Sequence, residues 1–222
     1  MSEREQNGNS GCTRRQFLKG GVGVPLAMAL AGGMVTVPFL KRADARGFYL
    51  RPPGAVDEKR FLGACIRCGK CVNVCPYDSI KLAGPDAGVS IGTPVIRPRE
   101  EPCYLCPDLP CARACPSGAL DSGLQEIEKV RMGTAVIVDR ENCLSLRGLR
   151  CEVCYSNCPL IDKAITIEAR HNERTGVHSI MEPVIHREKC VGCGICEKTC
   201  VREKPVIVVQ KTPPKLEDHY EF

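Results

Sequence analysis

Sixteen of the seventeen cysteines in this chain fall into four groups of four, and no group contains a histidine. The first group is Cys65, Cys68, Cys71 and Cys75, spaced C-x2-C-x2-C-x3-C and followed by Pro76. The fourth, Cys190, Cys193, Cys196 and Cys200, repeats that spacing without the proline. The second (Cys103, Cys106, Cys111, Cys115, then Pro116) is stretched once, and the third (Cys143, Cys151, Cys154, Cys158, then Pro159) has a longer first gap. Thiolates set three residues apart on a tight loop can each reach a different iron of one cubane. The spacing therefore predicts four 4Fe–4S clusters with these sixteen cysteines as iron ligands, and electron transfer as their chemistry.

Two other uses of cysteine fit poorly. Disulfide frameworks do not repeat three near-neighbour thiols four times over, and bridging them would strain the loop. Zinc ribbons separate their C-x2-C pairs by a longer loop and close the site with a second pair or with histidines. Small residues beside the thiols favour clusters: Gly69, Gly192 and Gly194 free the backbone to curl round a cubane and aim N–H groups at sulfur. Pro76, Pro116 and Pro159 fix the chain after the fourth ligand, where the last group has Val201. Tyr77, Tyr104 and Tyr155 are read as shields against water. The insertion LSLRGLR between Cys143 and Cys151 is either a basic partner-binding loop, through Arg147 and Arg150, or a solvated insertion with its leucines tucked inward.

Other redox and catalytic chemistries lack their residues. None of the four histidines (His171, His178, His186, His219) stands in a C-x-H arrangement, which disfavours a Rieske centre. There is no C-x-x-C-H for haem and no G-x-G-x-x-G for a flavin or nicotinamide. No catalytic set of nucleophile, base and oxyanion donors can be assembled.

Composition agrees. Aromatic residues make up 5% of the chain and tryptophan is absent, so metal ligation must replace part of an ordinary core. The formal charge of +5 belongs mostly to the N-terminus, where residues 1–46 hold seven Lys and Arg against three acids. The rest is nearly neutral, with 24 Lys and Arg against 23 acids, and offers no footprint for nucleic acid.

That basic N-terminus is an address. Thr13-Arg14-Arg15-Gln16-Phe17-Leu18-Lys19 precedes an uncharged stretch from Gly20 to Leu40, then Lys41-Arg42 and the small-residue site Ala43-Asp44-Ala45. This is the layout of a twin-arginine (Tat) export signal over residues 1–45, ahead of a body at 46–222. A protein that receives iron and sulfide in the cytoplasm must cross the membrane folded, and the Tat translocase carries folded cargo. Twenty-one uncharged residues could also anchor the chain in a bilayer. Five glycines and two prolines make that a poor membrane helix and favour cleavage near Ala45. Cys12 lies in the signal and belongs to no group.

Past the signal one unit recurs four times, a short β-type run flanking each cysteine loop. Thr93–Ile96, Thr134–Val138 and Pro183–His186 lead in, and Ser79–Leu82, Ala164–Ile167 and Pro205–Val209 lead out. They are rich in Val, Ile and Thr and too short for helices. Gly123–Arg131 carries the best helical pattern. The expected fold is α+β and ferredoxin-like: two pseudo-twofold bis-cluster modules with short strands and helices and many loops. In two-cluster ferredoxins the fourth cysteine of one group ligates the other group's cluster. Spacing alone leaves the pairing open, although the matching first and fourth groups suggest an outer pair round an inner one.

The segments CIRCGKCVNVCPYDSIKL, PCARACPSGAL, RMGTAVIVDRENC, LRCEVCYSNCP and CVGCGICEKTCV closely resemble the NapG/MauM family of ferredoxin-type proteins, from the twin-arginine signal to about Val209. The resemblance implies the same sixteen ligands. It also implies a setting: the periplasmic face of the inner membrane, beside a NapH-type membrane iron–sulfur protein. There electrons pass from quinol towards a periplasmic nitrate reductase, directly or through a cytochrome. A MauM-type role in methylamine oxidation would keep the chemistry and change the partner. The iron–sulfur subunit of a molybdopterin oxidoreductase is the alternative from another class.

Overall fold

Short apolar runs on either side of each cysteine loop have little backbone of their own to pair with, so they pair with each other across the loops. In the computed structural model, which describes residues 49–211 apart from Arg174, six strands form three antiparallel two-stranded ribbons. β1 (Ile80–Leu82), leaving the first cysteine group, pairs with β2 (Pro94–Ile96), entering the second, with Ile80 opposite Ile96. β3 (Thr134–Ile137) enters the third group and pairs with β6 (Ile207–Gln210), which leaves the fourth. β4 (Ile165–His171) leaves the third and pairs with β5 (Ser179–Ile185), which enters the fourth. In the first half a single bridge, Ala55 opposite Leu120, stands where the second half has the β3–β6 ribbon. All six expected runs fall on strands, three of them to within a residue at each end; β6 starts two residues late at Ile207, β4 runs on to His171, and β5 begins before its run, at Ser179.

The ribbons correct the suggested pairing. The first group is tied to the second and the third to the fourth; no strand joins the first to the fourth among the described residues. Similar spacing reports similar local loops, whereas pairing is decided by which flanking runs can reach each other, and neighbours in sequence close the shorter loops.

Helices are short and mostly follow the cysteines. α1 (Glu58–Ala64) opens on Asp57, whose carboxylate accepts from the Lys59 N–H, and buries only Phe61. α2 (Lys70–Asn73), α3 (Pro110–Arg113), α4 (Val153–Ser156) and α5 (Ile195–Thr199) each carry the third cysteine of one group. They pack in the same pairs as the strands, α2 on α3 and α4 on α5. The helix expected over Gly123–Arg131 is absent: Ile127–Lys129 makes one 3-10 turn. Val130 alone is fully buried, with Leu124 and Ile127 only partly buried against the core, so the apolar contact available to repay the ordering of a longer helix is small.

One apolar core runs through residues 49–211, from Leu50 to Ile207, and includes Cys71, Cys111, Cys190 and Cys193. Phe61 is its only aromatic member. Arg51, also buried, lies over the Phe61 ring at 4.7 Å and donates to Glu58, Thr93 Oγ1, Ser90 Oγ and the Pro94 carbonyl. It bolts α1 to the β1–β2 ribbon. No described helix is long and apolar enough to cross a membrane. The signal segment, its Cys12, and the end of the chain with Pro213-Pro214 lie outside the described residues.

In the second half Glu182, buried on β5, accepts from Arg140 before the third group and from Arg170 on β4, each at 2.6 Å. Burial pushes its carboxyl up, but the two guanidinium hydrogen bonds win and hold it below the usual carboxylate range. A depressed folded value means the stabilisation is present above the ordinary carboxylate pKa and is lost as pH falls through the folded one. Glu182→Gln should therefore cost about 1–3 kcal/mol at neutral pH, read as a lower thermal midpoint. The deficit should hold from pH 7 down to the ordinary carboxylate range, about pH 4, and shrink only below it.

Candidate metal centres

Pairing the loops brings each fourth cysteine to the other group of its pair. The Cys71 thiol has Cys65, Cys68 and Cys115 for neighbours. Cys75 crosses in return, lining a cavity of about 350 Å³ with Cys103, Cys106 and Cys111. In the second half Cys158 joins Cys190, Cys193 and Cys196 around a cavity of about 430 Å³, also lined by Cys154. Cys143, Cys151, Cys154 and Cys200 line another of about 430 Å³. All sixteen predicted residues are thus gathered into four quartets of three plus one, and all are free thiols. Among the described residues no three His, Cys, Asp or Glu side chains converge as a single ion requires. Sulfurs spread round a cavity suit a larger inorganic group.

The backbone repeats as the sulfurs do. In the first group Arg67 (φ 56°) and Gly69 (φ 72°) flank Cys68 in left-handed conformation, and in the fourth Gly192 (φ 71°) and Gly194 (φ 87°) flank Cys193. The second group has Leu105 (φ 51°) before Cys106 and Leu109 (φ 42°) two residues before Cys111, the same offsets from the second and third ligands. Such reversals turn successive N–H groups inward and make a concavity that attracts an anion. An iron–sulfur cube ligated by four thiolates is one. The third group departs from this pattern: Glu152, two residues before Cys154, has φ −118°. Its insertion instead turns at Gly148 (φ 84°) and lodges under β5, where the buried Ser145 hydroxyl donates to the Met181 carbonyl. Leu144 and Leu146 are half-buried and Leu149 is exposed, so two of its three leucines turn inward.

Polar groups also point at the sulfur. The Leu120 N–H donates to Cys115 Sγ and the Ala135 N–H to Cys190 Sγ, each at 3.4 Å. Ser79, 3% exposed, lines the Cys75–Cys103–Cys106–Cys111 cavity, and its buried hydroxyl has no protein partner. A buried donor without a partner costs about 1–3 kcal/mol unless something in the cavity accepts from it. Cluster sulfur is such an acceptor, and in this respect the residues fit the group. Tyr77 and Tyr104 stack at 4.5 Å over the mouth of the same cavity, each still 40% or more exposed; they cover it in part.

Burial sets the thiol chemistry. It pushes Cys103, Cys111 and Cys193 up to about 12 and Cys71 and Cys154 to about 11; Cys196 goes higher still. Cys115 moves the other way: burial raises it, but N–H donors from Leu120 and its neighbours outweigh the burial. Left to themselves most of these groups would stay protonated, and a bound cation would be what turns them into thiolates.

Gly192 shows how little room the loops have. A Cβ there would sit 2.5 Å from the Gly133 backbone, besides requiring a left-handed alanine. Gly192→Ala should displace the Cys190–Cys196 loop and lower bound iron per chain. Gly69→Ala, with nothing within 4 Å, should lose less. Iron assay of the two proteins prepared side by side checks the order.

The 4Fe–4S dicluster domain family matches the chain twice, at residues 64–119, over the first two groups, and at 147–203, over the fourth group and all of the third but Cys143. Among curated proteins, the ferredoxin-type protein NapG of Escherichia coli is 48% identical over all of this chain and 94% of its own length. NapG of Haemophilus influenzae is 47% identical over 88% of this chain and 71% of its own. The methylamine utilization ferredoxin-type protein MauM of Methylorubrum extorquens is 43% identical, covering 89% and 88%. No solved structure matches. With 4Fe–4S dicluster matches on both halves and identity of this depth along its length, the chain belongs to the NapG/MauM family of ferredoxin-type, electron-transferring iron–sulfur proteins.

Proposed function

We propose that the protein holds four 4Fe–4S clusters and relays electrons from membrane quinol towards a periplasmic nitrate reductase. The observation that carries this reading is the sorting of sixteen cysteines into four quartets, each of three neighbours and one sulfur from the paired loop. The ligands are then Cys65, Cys68, Cys71 with Cys115; Cys103, Cys106, Cys111 with Cys75; Cys143, Cys151, Cys154 with Cys200; and Cys190, Cys193, Cys196 with Cys158. Each pair of groups is one bis-cluster module, with its halves related by a pseudo-twofold. The exchange of fourth cysteines and the recurring left-handed residues support that arrangement. When bound, the clusters supply reversible one-electron storage; the chain positions them, shields them and aims N–H and O–H donors at their sulfur.

Residues 1–45 are a Tat signal and 46–222 the exported body, on the strength of the Arg14-Arg15 motif and Ala43-Asp44-Ala45. Quinol oxidation belongs to a NapH-type membrane partner, and a cytochrome or the reductase itself receives the electrons. The match to NapG at 48% identity over the whole chain favours nitrate reduction; MauM proteins at 43% identity over 89% of the chain and 49% over 72% keep methylamine oxidation as a second reading.

Anaerobically purified protein should contain about sixteen iron and sixteen sulfide per chain. In membranes bearing the NapH-type partner its visible absorbance should bleach on adding quinol. Four zinc ions and no sulfide, or clusters that quinol never reduces, would refute the assignment. Ser79→Ala should lower the potential of the Cys75–Cys103–Cys106–Cys111 centre and leave the other three in place, because a donor to cluster sulfur favours the reduced form. A redox titration followed by EPR reads the shift.

A further inference from the structure

The two modules meet at their ligands. The Cys103 N–H, in the second group, donates to the carbonyl of Cys193, in the fourth, at 3.0 Å. It is the one backbone hydrogen bond among the described residues that joins cysteines of different modules. Around it the fit is close. A Cβ on Gly194 would lie 2.5 Å from Pro98 Cβ, so the loop that carries Cys193 presses on the strand exit that precedes Cys103. Arg99 then grips the far end of α5. Its Nη1 donates to the carbonyls of Glu197, Lys198 and Cys200, and its Nη2 to those of Arg202 and Glu203, all within 3.2 Å. Lys198 returns the contact, donating to the Glu100 carbonyl and pairing with Glu101 at 3.2 Å.

We propose that the four sites form one line in the order first, second, fourth, third group, and that the Cys103–Cys193 hydrogen bond is the joint where an electron changes module. This rests on the four-cluster reading. Within each module the exchanged fourth cysteines couple the first site to the second and the fourth to the third. Across modules, only the second and fourth sites share a contact between ligand residues. The through-bond path between the two sites would run through the side chain and backbone of Cys103, a single N–H···O=C hydrogen bond, and the backbone and side chain of Cys193. Each crossing oxidises one site and reduces its neighbour by one electron, making and breaking no bond. The quinol-class donor supplies the electron, and the downstream acceptor removes it. Cys68, the one exposed cysteine among the sixteen, belongs to the first site and places that end of the line at the surface. Arg99 is a positioning residue: it touches no sulfur but holds the joint closed.

The test is magnetic coupling between reduced centres, seen by EPR in fully reduced protein and in variants lacking one site. Cys68→Ser should remove the first site and leave the other three mutually coupled. Cys106→Ser should leave the first site as an isolated, unsplit signal beside a still-coupled pair. A first-site signal that stays coupled in Cys106→Ser would overturn the order. Arg99→Ala keeps every ligand; it should weaken coupling between modules while coupling within each module persists. If all couplings change together, or none does, Arg99 does not hold this joint. Wild-type protein provides a check free of substitutions: the Cys103 amide should resist hydrogen exchange as strongly as the β4–β5 amides, and rapid exchange would refute the joint. Iron counting keeps the two ideas apart. A full complement of iron with the wrong coupling pattern defeats the line alone, and a chain without iron defeats the cluster reading first.

Discussion

Every element of this fold answers to the sharing of each fourth cysteine between two loops. A quartet drawn wholly from one loop could close without tertiary structure. Because Cys75 and Cys115 change places, as do Cys158 and Cys200, no site is complete until two loops about thirty to forty residues apart have met. Antiparallel ribbons, paired four- and five-residue helices and the apolar core all serve that meeting. The thiols are themselves core residues, which is how a chain with so few aromatics fills its interior. On the proposed ligand set, folding and loading would be one event, as holds where ligation supplies much of the stability.

Much of this was legible in the residues. Sixteen cysteines could be singled out as candidate ligands because cubane ligation demands a spacing that few other uses of cysteine share, and these are the residues the fold gathers. The short strands were visible as Val- and Ile-rich runs, and the family as a resemblance along most of the chain. The pairing of groups was not legible, since the first and fourth loops look alike for local reasons: Gly192 and Gly194 do what Arg67 and Gly69 do. Left-handed Leu105 and Leu109 could not have been foreseen, because leucine carries no preference for that conformation and adopts it only under the constraint of the loop. Ser79 and Arg99 carry no motif; their importance lies in what is missing near a hydroxyl and in which carbonyls surround a guanidinium. The pattern over Gly123–Arg131 misled because its apolar residues Leu124, Ile127 and Val130 reach the core from a largely non-helical segment that makes one 3-10 turn.

The third group stands apart from the other three in both sequence and backbone. Its insertion places a buried serine and two half-buried leucines beneath β5, and the Glu182 bridge to Arg140 and Arg170 closes over them. The loop that looked most like a recognition element is in large part structural, with Leu149 and Arg150 left facing outward. Four sites built on one plan thus differ where the chain touches them, through a hydroxyl at one, an inverted thiol at another and a rebuilt loop at a third. On the four-cluster proposal, those differences would grade the energies of chemically identical centres.

The first loop has a cost written into its surface. Around exposed Cys68 stand Ile66, 64% exposed, and Val89, 77% exposed, held near by Arg67, which donates to the Val89 and Ile91 carbonyls. A greasy, unguarded rim of this kind is open to small apolar gases. Dioxygen would therefore attack this corner before any other, and damage in air should begin at one edge of the molecule and travel inward.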